Sequence, residues 1–317
     1  MTTTVPQDPR RFAAERLDPA LAGQVAALLD GAVDLHCHSG PAVMPRTLDH
    51  YEAMRDAEAA RFRALVYKDH FYPGMAQAAL LQRMFPENRL QLFSGIALNN
   101  SNGGINPHAV DHALKFGARI VWMPTMSAAN HVAKALSDAT NFPKPARKLL
   151  DPVPLTILGG DGRLTDETLQ VIDLVAEADI ILAGGHLHIS EQHLLFEAAR
   201  ARGVRKMLVN HPTHLIDCTD ADIRQLAGMG IYLEHSIVMF IEGMTRKRKF
   251  PIEEALRLID VAGADRTLFC SDLGLEGSPV PVDGYRFFVQ ELIGRAVPDA
   301  TIRKIIAANG AALLNLE

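Results

Sequence analysis

The chain has 317 residues and a formal charge of −5, and 48% of its residues are hydrophobic against 22% charged. This composition supports a large core and excludes a chain that is disordered throughout. The negative charge argues against nucleic acid or a membrane surface as a general partner, because both attract a positive face.

The predicted elements alternate between strands and helices. Residues 8–30 have apolar positions every three or four residues, so we predict a helical N-terminal extension, 1–31, ahead of a main domain, 32–317. Short apolar runs rich in β-branched residues then alternate with amphipathic segments. The eight predicted strands are 32–38, 64–71, 91–99, 118–125, 179–188, 206–213, 231–238 and 267–274. Eight such units predict an α/β fold, a closed (β/α)8 TIM barrel, with an open doubly wound sheet as the alternative.

One connection, 126–170, is much longer than the others. Long segments after a strand are uncommon inside compact domains and are often functional. We therefore expect a lid there, and a disordered insert is the alternative.

Histidines and an aspartate stand at the ends of the predicted strands. Side chains alternate across a strand, so His36 and His38 project to the same side. If that side is the interior, both lie at the carboxyl end of the barrel, where active sites of this fold are found. The other polar residues at strand ends are Lys68, His70, His186, His188, His211 and Asp272.

A shared metal ion explains this set better than chance does. A single His-x-His pair is weak evidence in a chain with 13 histidines, but two pairs at strand ends are harder to explain. Each unpaired polar group in a barrel core costs about 1–3 kcal/mol. Imidazole and carboxylate are good ligands for zinc, manganese or iron. The predicted ligands are His36, His38, His186, His211 and Asp272, with Lys68 or His70 as an additional ligand.

Several positions keep alternatives. Lys68 either carries a carboxylate as a carbamate that bridges two ions, or binds substrate, or pairs with a carboxylate such as Asp34. His188 either joins the site or faces a helix, and Cys37 points away from its flanking histidines. Glu234 and His235 cannot both face inward, and His235 is a candidate for substrate contact. The histidines expected at the surface or in caps are His50, His108, His112, His131, His193 and His214.

In these motifs the chain resembles the amidohydrolase superfamily of metal-dependent hydrolases. The matching pieces are "DLHCH", "GGHL", "VNHP", "CSDLG" and the closing segment "IIAANGAALLNL". The resemblance implies that the five predicted ligands form the metal set and that Asp272 also serves as the catalytic proton shuttle. Strand four, "ARIVWMPT", lacks the Lys or Glu that bridges two metals in many members. The site is therefore either mononuclear or completed by Lys68 or His70.

The predicted activity is hydrolysis of an amide, cyclic amide or lactone by a metal-activated water. We expect zinc, with manganese or iron as alternatives, and one or two ions. A metal-dependent non-oxidative decarboxylase, which the superfamily also contains, is the first rival. A non-catalytic metal-binding scaffold is the second, and a phosphoesterase is a weaker third.

The expected partner is a small molecule, and a substrate that bears a carboxylate is one alternative. Candidates for substrate contact are Arg46, His188 and His235, and the basic run "TRKRKF" at 245–250 is a weaker candidate for an anion. No nucleotide-binding glycine motif or serine nucleophile elbow follows a predicted strand. Whether the protein forms a homo-oligomer stays open.

The compartment is inferred from the N-terminus and the cysteines. The segment "MTTTVPQDPRR" lacks the apolar stretch of a secretory signal, and no run of about 18 apolar residues predicts a membrane span. Cys37, Cys218 and Cys270 are odd in number and far apart, which is typical of reduced thiols. We therefore expect a cytoplasmic protein.

Overall fold

The computed structural model describes residues 8–137, 144–245 and 247–316. Eight parallel strands pair in chain order, each with the next. They are β1 (Val33–Cys37), β2 (Ala64–Tyr67), β3 (Gln91–Ala97), β4 (Ile120–Trp122), β5 (Ile181–Ala183), β6 (Lys206–Asn210), β7 (Tyr232–Ser236) and β8 (Thr267–Cys270). The predicted (β/α)8 barrel is confirmed, and each predicted strand range contains one observed strand.

Helices separate the strands and surround them. They are α1 (Pro9–Ala14), α2 (Ala22–Leu29), α3 (His50–Ala59), α4 (Met75–Met84), α5 (Pro107–Lys115), α6 (Ala129–Ser137), α7 (Asp166–Ala178), α8 (Ile189–Ala201), α9 (Asp220–Gly228), α10 (Ile252–Ala262), α11 (Pro281–Ile293), α12 (Asp299–Arg303) and α13 (Asn309–Leu313). The predicted N-terminal extension is two short helices with Pro19 in the break between them. Within the described ranges, no helix has the length and apolar character needed to cross a membrane.

The barrel closes between its first and last strands. His38 N donates to Leu273 O and Asp272 N donates to His36 O, each at 2.9 Å. The buried Asp34 strengthens this seam, because its Oδ1 accepts from the backbone N–H of His36 and of Ser271, both at 3.0 Å. The residues that carry the predicted site are thus part of the closure itself.

Two apolar layers hold the barrel. The inner layer fills the barrel with side chains such as Leu35, Val66 and Trp122, and Leu313 of the C-terminal segment packs against it. The outer layer lies between strands and helices and includes Cys37. Strands buried on both faces are continuous apolar runs, which is why the sequence pattern predicted them well. Cys37 belongs to the outer layer, as expected from its alternation with His36 and His38.

The long connection after β4 returns to the strand end and then crosses to another loop. Leu155 N donates to Ser127 O at 2.7 Å, and Ala129 N donates to Leu155 O at 2.8 Å. Ala146 N donates to Val43 O, in the loop after β1, at 3.3 Å. The connection therefore contacts both the end of β4 and the loop after β1, three strands away in the barrel. Residues 138–143 of the predicted lid lie outside the described residues, and the lid itself stays a prediction.

Candidate metal centre

His36 and His38 direct their Nε2 atoms to one carboxylate. Each Nε2 lies 3.1 Å from Oδ1 of Asp272. The Nδ1 atoms face protein groups on the other side: that of His36 lies 2.5 Å from Glu234 Oε1, and that of His38 lies 2.8 Å from the carbonyl oxygen of Lys68. Because a partner on one ring nitrogen fixes the tautomer and orientation, both rings present Nε2 to the same point.

His211 and Asp272 reach this point through strained backbone. Their φ angles are 54° and 49°, in the left-handed region that residues other than glycine rarely adopt. Such strain costs about 1–3 kcal/mol per residue and is typical of functional sites. One ligand atom each from His36, His211 and Asp272 lie within 4.8 Å of one another, so the three could hold one ion.

His186 and His70 extend the cluster along the barrel mouth. The His186 ring centroid lies 5.1 Å from that of His211 and 5.8 Å from that of His70. Nδ1 of His186 lies 2.9 Å from Nδ1 of His131, whereas its Nε2 is buried and has no hydrogen-bond partner among the described residues. A buried nitrogen without a partner is costly. It is therefore the arrangement expected of a ligand to a cation, and the donor set fits a divalent metal.

Lys68 lies inside the cluster, as the sequence allowed. Its Nζ is 3.0 Å from His36 Nε2 and 5.2 Å from the ring centroid of Trp122 on β4. The residue is only 1% exposed, and burial lowers the pKa of its ammonium group. Strand two therefore supplies an amine at the centre, while strand four contributes an apolar ring.

The charges of the centre are strongly coupled. Burial and the charge of Lys68 lower the pKa of His36, but Asp272 and Glu234 outweigh them and raise it to about 9. Burial, followed by the charge of Arg46, lowers the pKa of His38 to about 3. Burial alone would raise the pKa of Asp272, yet the neighbouring imidazoles hold it well below its usual range. Without a metal, the centre therefore contains an imidazolium beside a carboxylate.

A cavity of about 700 Å³ opens above these residues at the carboxyl ends of the strands. Its polar lining includes His38, His70, His186, His211 and Asp272. A smaller cavity of about 490 Å³ lies near Gly31 and Leu90, at the start of β1 and β3, and contains none of the predicted ligands. Of these two cavities, only the larger is lined by predicted metal ligands.

The three residues predicted to contact substrate are placed differently from one another. Arg46 lines the cavity, but its Nη2 lies 3.1 Å from Asp69 Oδ2 and its side chain is 3% exposed. His188 caps α8, where its side chain accepts from Ser190 N, because the chain has left the strand by that point. His235 lies on the face of β7 opposite Glu234 and contacts Phe269, with ring centroids 5.2 Å apart. In the described residues neither His188 nor His235 lines the cavity, so the structure does not give them the expected substrate contact.

Three residues near the centre were missed or left undecided by sequence reasoning. Glu234 faces inward and bonds His36, a choice that alternation along β7 allowed but did not settle. His131 on α6 is buried against His186 and was expected at the surface. His214 was also expected at the surface, and its ring lies 5.2 Å from that of His211. No signal near His131 or His214 in the sequence marks them, because both depend on how a helix or loop folds back.

Comparison with family models identifies the family to which the chain belongs. The model of a family described as a family of unknown function, DUF6282, matches residues 31–234, which is more than half of the chain. The chain belongs to DUF6282. The matched range contains every predicted metal ligand except Asp272, which lies beyond it. No curated protein matches this DUF6282 chain in sequence.

Several solved structures are similar in fold to this DUF6282 member. An amidohydrolase from Pseudomonas aeruginosa is 11% identical with a TM-score of 0.62, covering 92% of this chain and 98% of that one. The probable dipeptidase PvdM from the same organism is 11% identical with a TM-score of 0.61, covering 94% and 98%. A 2,6-dihydroxybenzoate decarboxylase from Rhizobium is 12% identical with a TM-score of 0.50, covering 90% and 99%. The expected resemblance to the amidohydrolase superfamily is confirmed, and at such identities it is a likeness of fold.

Proposed function

We propose that this DUF6282 protein is a metal-dependent hydrolase that cleaves an amide, cyclic amide or lactone bond. The observation that carries the proposal is the convergence of His36 Nε2 and His38 Nε2 on Asp272, each at 3.1 Å, with both Nδ1 atoms held by protein groups. This is the arrangement of metal-binding histidines, whose second nitrogen is fixed by a carboxylate or a carbonyl.

The residues that would hold the cation are His36, His38, His211 and Asp272. His186, with Lys68 or His70, lies beside them and would serve a second ion. Imidazole and carboxylate donors together suit zinc first, and manganese or iron as alternatives. Such a cation supplies a Lewis acid for the carbonyl and lowers the pKa of water to about 7.

We assign the role of proton shuttle to Asp272. Its carboxylate lines the cavity, and its Oδ1 lies 3.1 Å from Nε2 of both His36 and His38, while its Oδ2 lies 3.8 Å from His211 Nδ1. A carboxylate in this place can take a proton from an attacking water and give it to the leaving nitrogen or oxygen. Glu234 and the carbonyl oxygen of Lys68 hold the rings of His36 and His38 in orientation.

The test combines metal content, product analysis and one substitution. Protein purified without chelator is analysed by mass spectrometry for metal per chain, and then incubated with a panel of amides, cyclic amides and lactones. We expect bound metal and ring-opened or hydrolysed products. Asp272→Asn should lower kcat by about 100- to 10,000-fold, whereas Asp283→Asn, in a buried carboxylate on α11, should leave kcat unchanged.

Three outcomes would reject the proposal. Release of carbon dioxide from a carboxylate substrate, without hydrolysis, would assign the decarboxylase instead. Full turnover by Asp272→Asn would contradict the proposed role of Asp272. Failure to bind zinc, manganese or iron near pH 7 would contradict the proposed metal centre.

A further inference from the structure

The cavity has three chemically distinct levels. The histidines and Asp272 form its floor, and basic side chains stand at its rim. The apolar part of its lining consists of Met44, Met126, Leu215, Val238, Met239 and Leu275. A ligand that fills the cavity therefore meets the metal centre at one end, apolar side chains along its length and positive charge at the other end.

The positive rim comes mainly from the loop after β7. Lys247, Arg248 and Lys249 all line the cavity. Arg248 lies 3.5 Å from Glu242, whereas neither lysine forms an ion pair with a carboxylate among the residues that the structure describes. Arg246, from the same basic run, lies outside the described residues. The two lysines thus carry charge that no described acidic group neutralises.

The backbone of this loop is held in place. Lys249 N and Phe250 N both donate to Met239 O at 2.9 Å, and the Phe250 ring lies 6.0 Å from that of Phe240. Thr245 N donates to Gly277 O, in the loop after β8, at 3.1 Å. The base of the Lys249 side chain is therefore anchored, although the side chains of both lysines are exposed.

Lys249 shares the cavity with the histidines of the centre. Lys249, His214 and His211 all line it, and the His214 ring lies 5.2 Å from that of His211. The charge of Lys249 and the histidine cluster therefore border the same cavity.

We propose that the substrate carries an anionic group, a carboxylate or a phosphate, at the end remote from the scissile bond, and that Lys249 and Lys247 bind this group while an apolar segment spans the walls. This inference rests on the proposed hydrolase function and names the substrate class. Arg46 lines the same cavity, but its side chain is buried and its Nη2 pairs with Asp69, while its Nε and Nη1 have no hydrogen-bond partner among the described residues.

Matched probes test the anion subsite. They are 6-acetamidohexanoate, 6-acetamidohexyl phosphate and the neutral N-hexylacetamide, which share an amide and an alkyl segment. Dissociation constants are measured by calorimetry on metal-free and zinc-loaded full-length protein, and hydrolysis is followed by acetate release. The variants are Lys249→Gln and Lys247→Gln/Lys249→Gln. Lys115→Gln, which removes an exposed lysine on α5, is the control for the same change of charge.

We expect at least one anionic probe to bind about fivefold more tightly than the neutral probe. A preference of this size matches the free energy that exposed ion pairs contribute. Lys247→Gln/Lys249→Gln should abolish the preference, and Lys115→Gln should keep it. Salt at about 0.5 M should weaken it, because exposed charges are screened. The anion that binds more tightly identifies the group.

The outcomes separate this inference from the proposed function. Equal binding of charged and neutral probes overturns the subsite, even if both amides are hydrolysed. An unchanged preference in the double variant also overturns it. A lysine-dependent preference without any acetate release supports the subsite and counts against the hydrolase.

Discussion

Glu234 Oε1 lies 2.5 Å from His36 Nδ1, and both side chains are almost completely buried. The other carboxylate oxygen of Glu234 accepts a hydrogen bond from Asn210 Nδ2 at 2.7 Å. This carboxylate is thus held by two neighbouring strands, β6 and β7, and it fixes the ring of a residue on β1. The orientation of His36 toward Asp272 follows from that bond.

Replacing Glu234 should weaken metal binding without removing a proposed ligand. In Glu234→Gln the charge that holds the His36 ring is lost, and comparable changes beside metal-binding histidines cost about 10- to 100-fold in affinity. Competition with a chromophoric chelator measures the zinc affinity. Glu191→Gln is the control, since Glu191 is a buried carboxylate that accepts from Ile157 N outside the centre. Equal zinc affinity in the Glu234 and Glu191 variants would contradict this role.

Metal binding should release a proton at neutral pH. The pKa of His36 is raised to about 9, so without metal its ring stays protonated through pH 7. A cation must displace that proton, and its affinity should therefore increase as pH rises from about 6.5 toward 9. Calorimetric titration of zinc at pH 7.5 in two buffers of different ionisation enthalpy counts the protons released. In Glu234→Gln the count should fall, because one of the carboxylates that raise this pKa is gone.

His235 should be a site where substitution stabilises the protein. Both ring nitrogens are buried and have no hydrogen-bond partner among the described residues. Since a buried polar group without a partner costs about 1–3 kcal/mol, we expect His235→Leu to raise the free energy of unfolding by about 1 kcal/mol. His50→Leu is the matched control: Nδ1 of this buried histidine lies 2.5 Å from Ser39 Oγ, and its removal should destabilise. Chemical denaturation measures both.

His235→Leu should also change how the stability of the protein responds to acid. Burial, with the charges of His214 and Arg257, lowers the pKa of His235 to about 3. Between that value and about 6.5 the unfolded chain binds a proton that the folded chain does not. The contribution of this ring to the free energy of unfolding is therefore fully present above a pH of about 6.5. It is lost as the pH falls toward the folded pKa, by up to about 1.4 kcal/mol per pH unit. His235→Leu should reduce the slope of stability between pH 6 and 4.5, and an unchanged slope would contradict the burial of this ring.

Gly274 should be intolerant of any side chain. Its φ is 113°, and an added Cβ would lie 1.6 Å from the carbonyl oxygen of His38. Gly274→Ala should therefore cost about 3 kcal/mol through clash and strain and should lower zinc affinity, since His38 must move. Gly23→Ala, in α2 with no atom near the added carbon, should be neutral or slightly stabilising. Thermal unfolding and zinc titration of both variants check this.

The fold was predictable because its signal is local and repeated. Each strand of a parallel barrel is buried on both faces, so a run such as Ile181–Ala183 stands out as apolar. The predicted ranges were longer than the strands, since 179–188 includes the loop that carries His186. Apolar and polar residues show where a chain is buried, but they do not show where the hydrogen-bonded ladder ends.

The candidate site was predictable only where a strand end places the residue. Lys68 follows β2 directly, and the structure brings it to the centre as expected. Glu234 and His235 are neighbours with opposite directions, and only the tertiary packing of β7 decides which of them faces the barrel. His131 lies on a helix of the long connection, so its burial depends on contacts between residues far apart in the chain. The metal-binding role of the whole set stays a prediction.

The seam between β1 and β8 has a consequence for the order of events during synthesis. His36 and His38 leave the ribosome long before Asp272. The Oδ1 atom of Asp272 lies 3.1 Å from both imidazoles, and its backbone N–H helps to complete the hydrogen bonds between these strands. A nascent chain that has not yet formed β8 would present the imidazoles of His36 and His38 without the carboxylate of Asp272. Cation capture is therefore expected to be a late step in biogenesis, coupled to ring closure rather than preceding it.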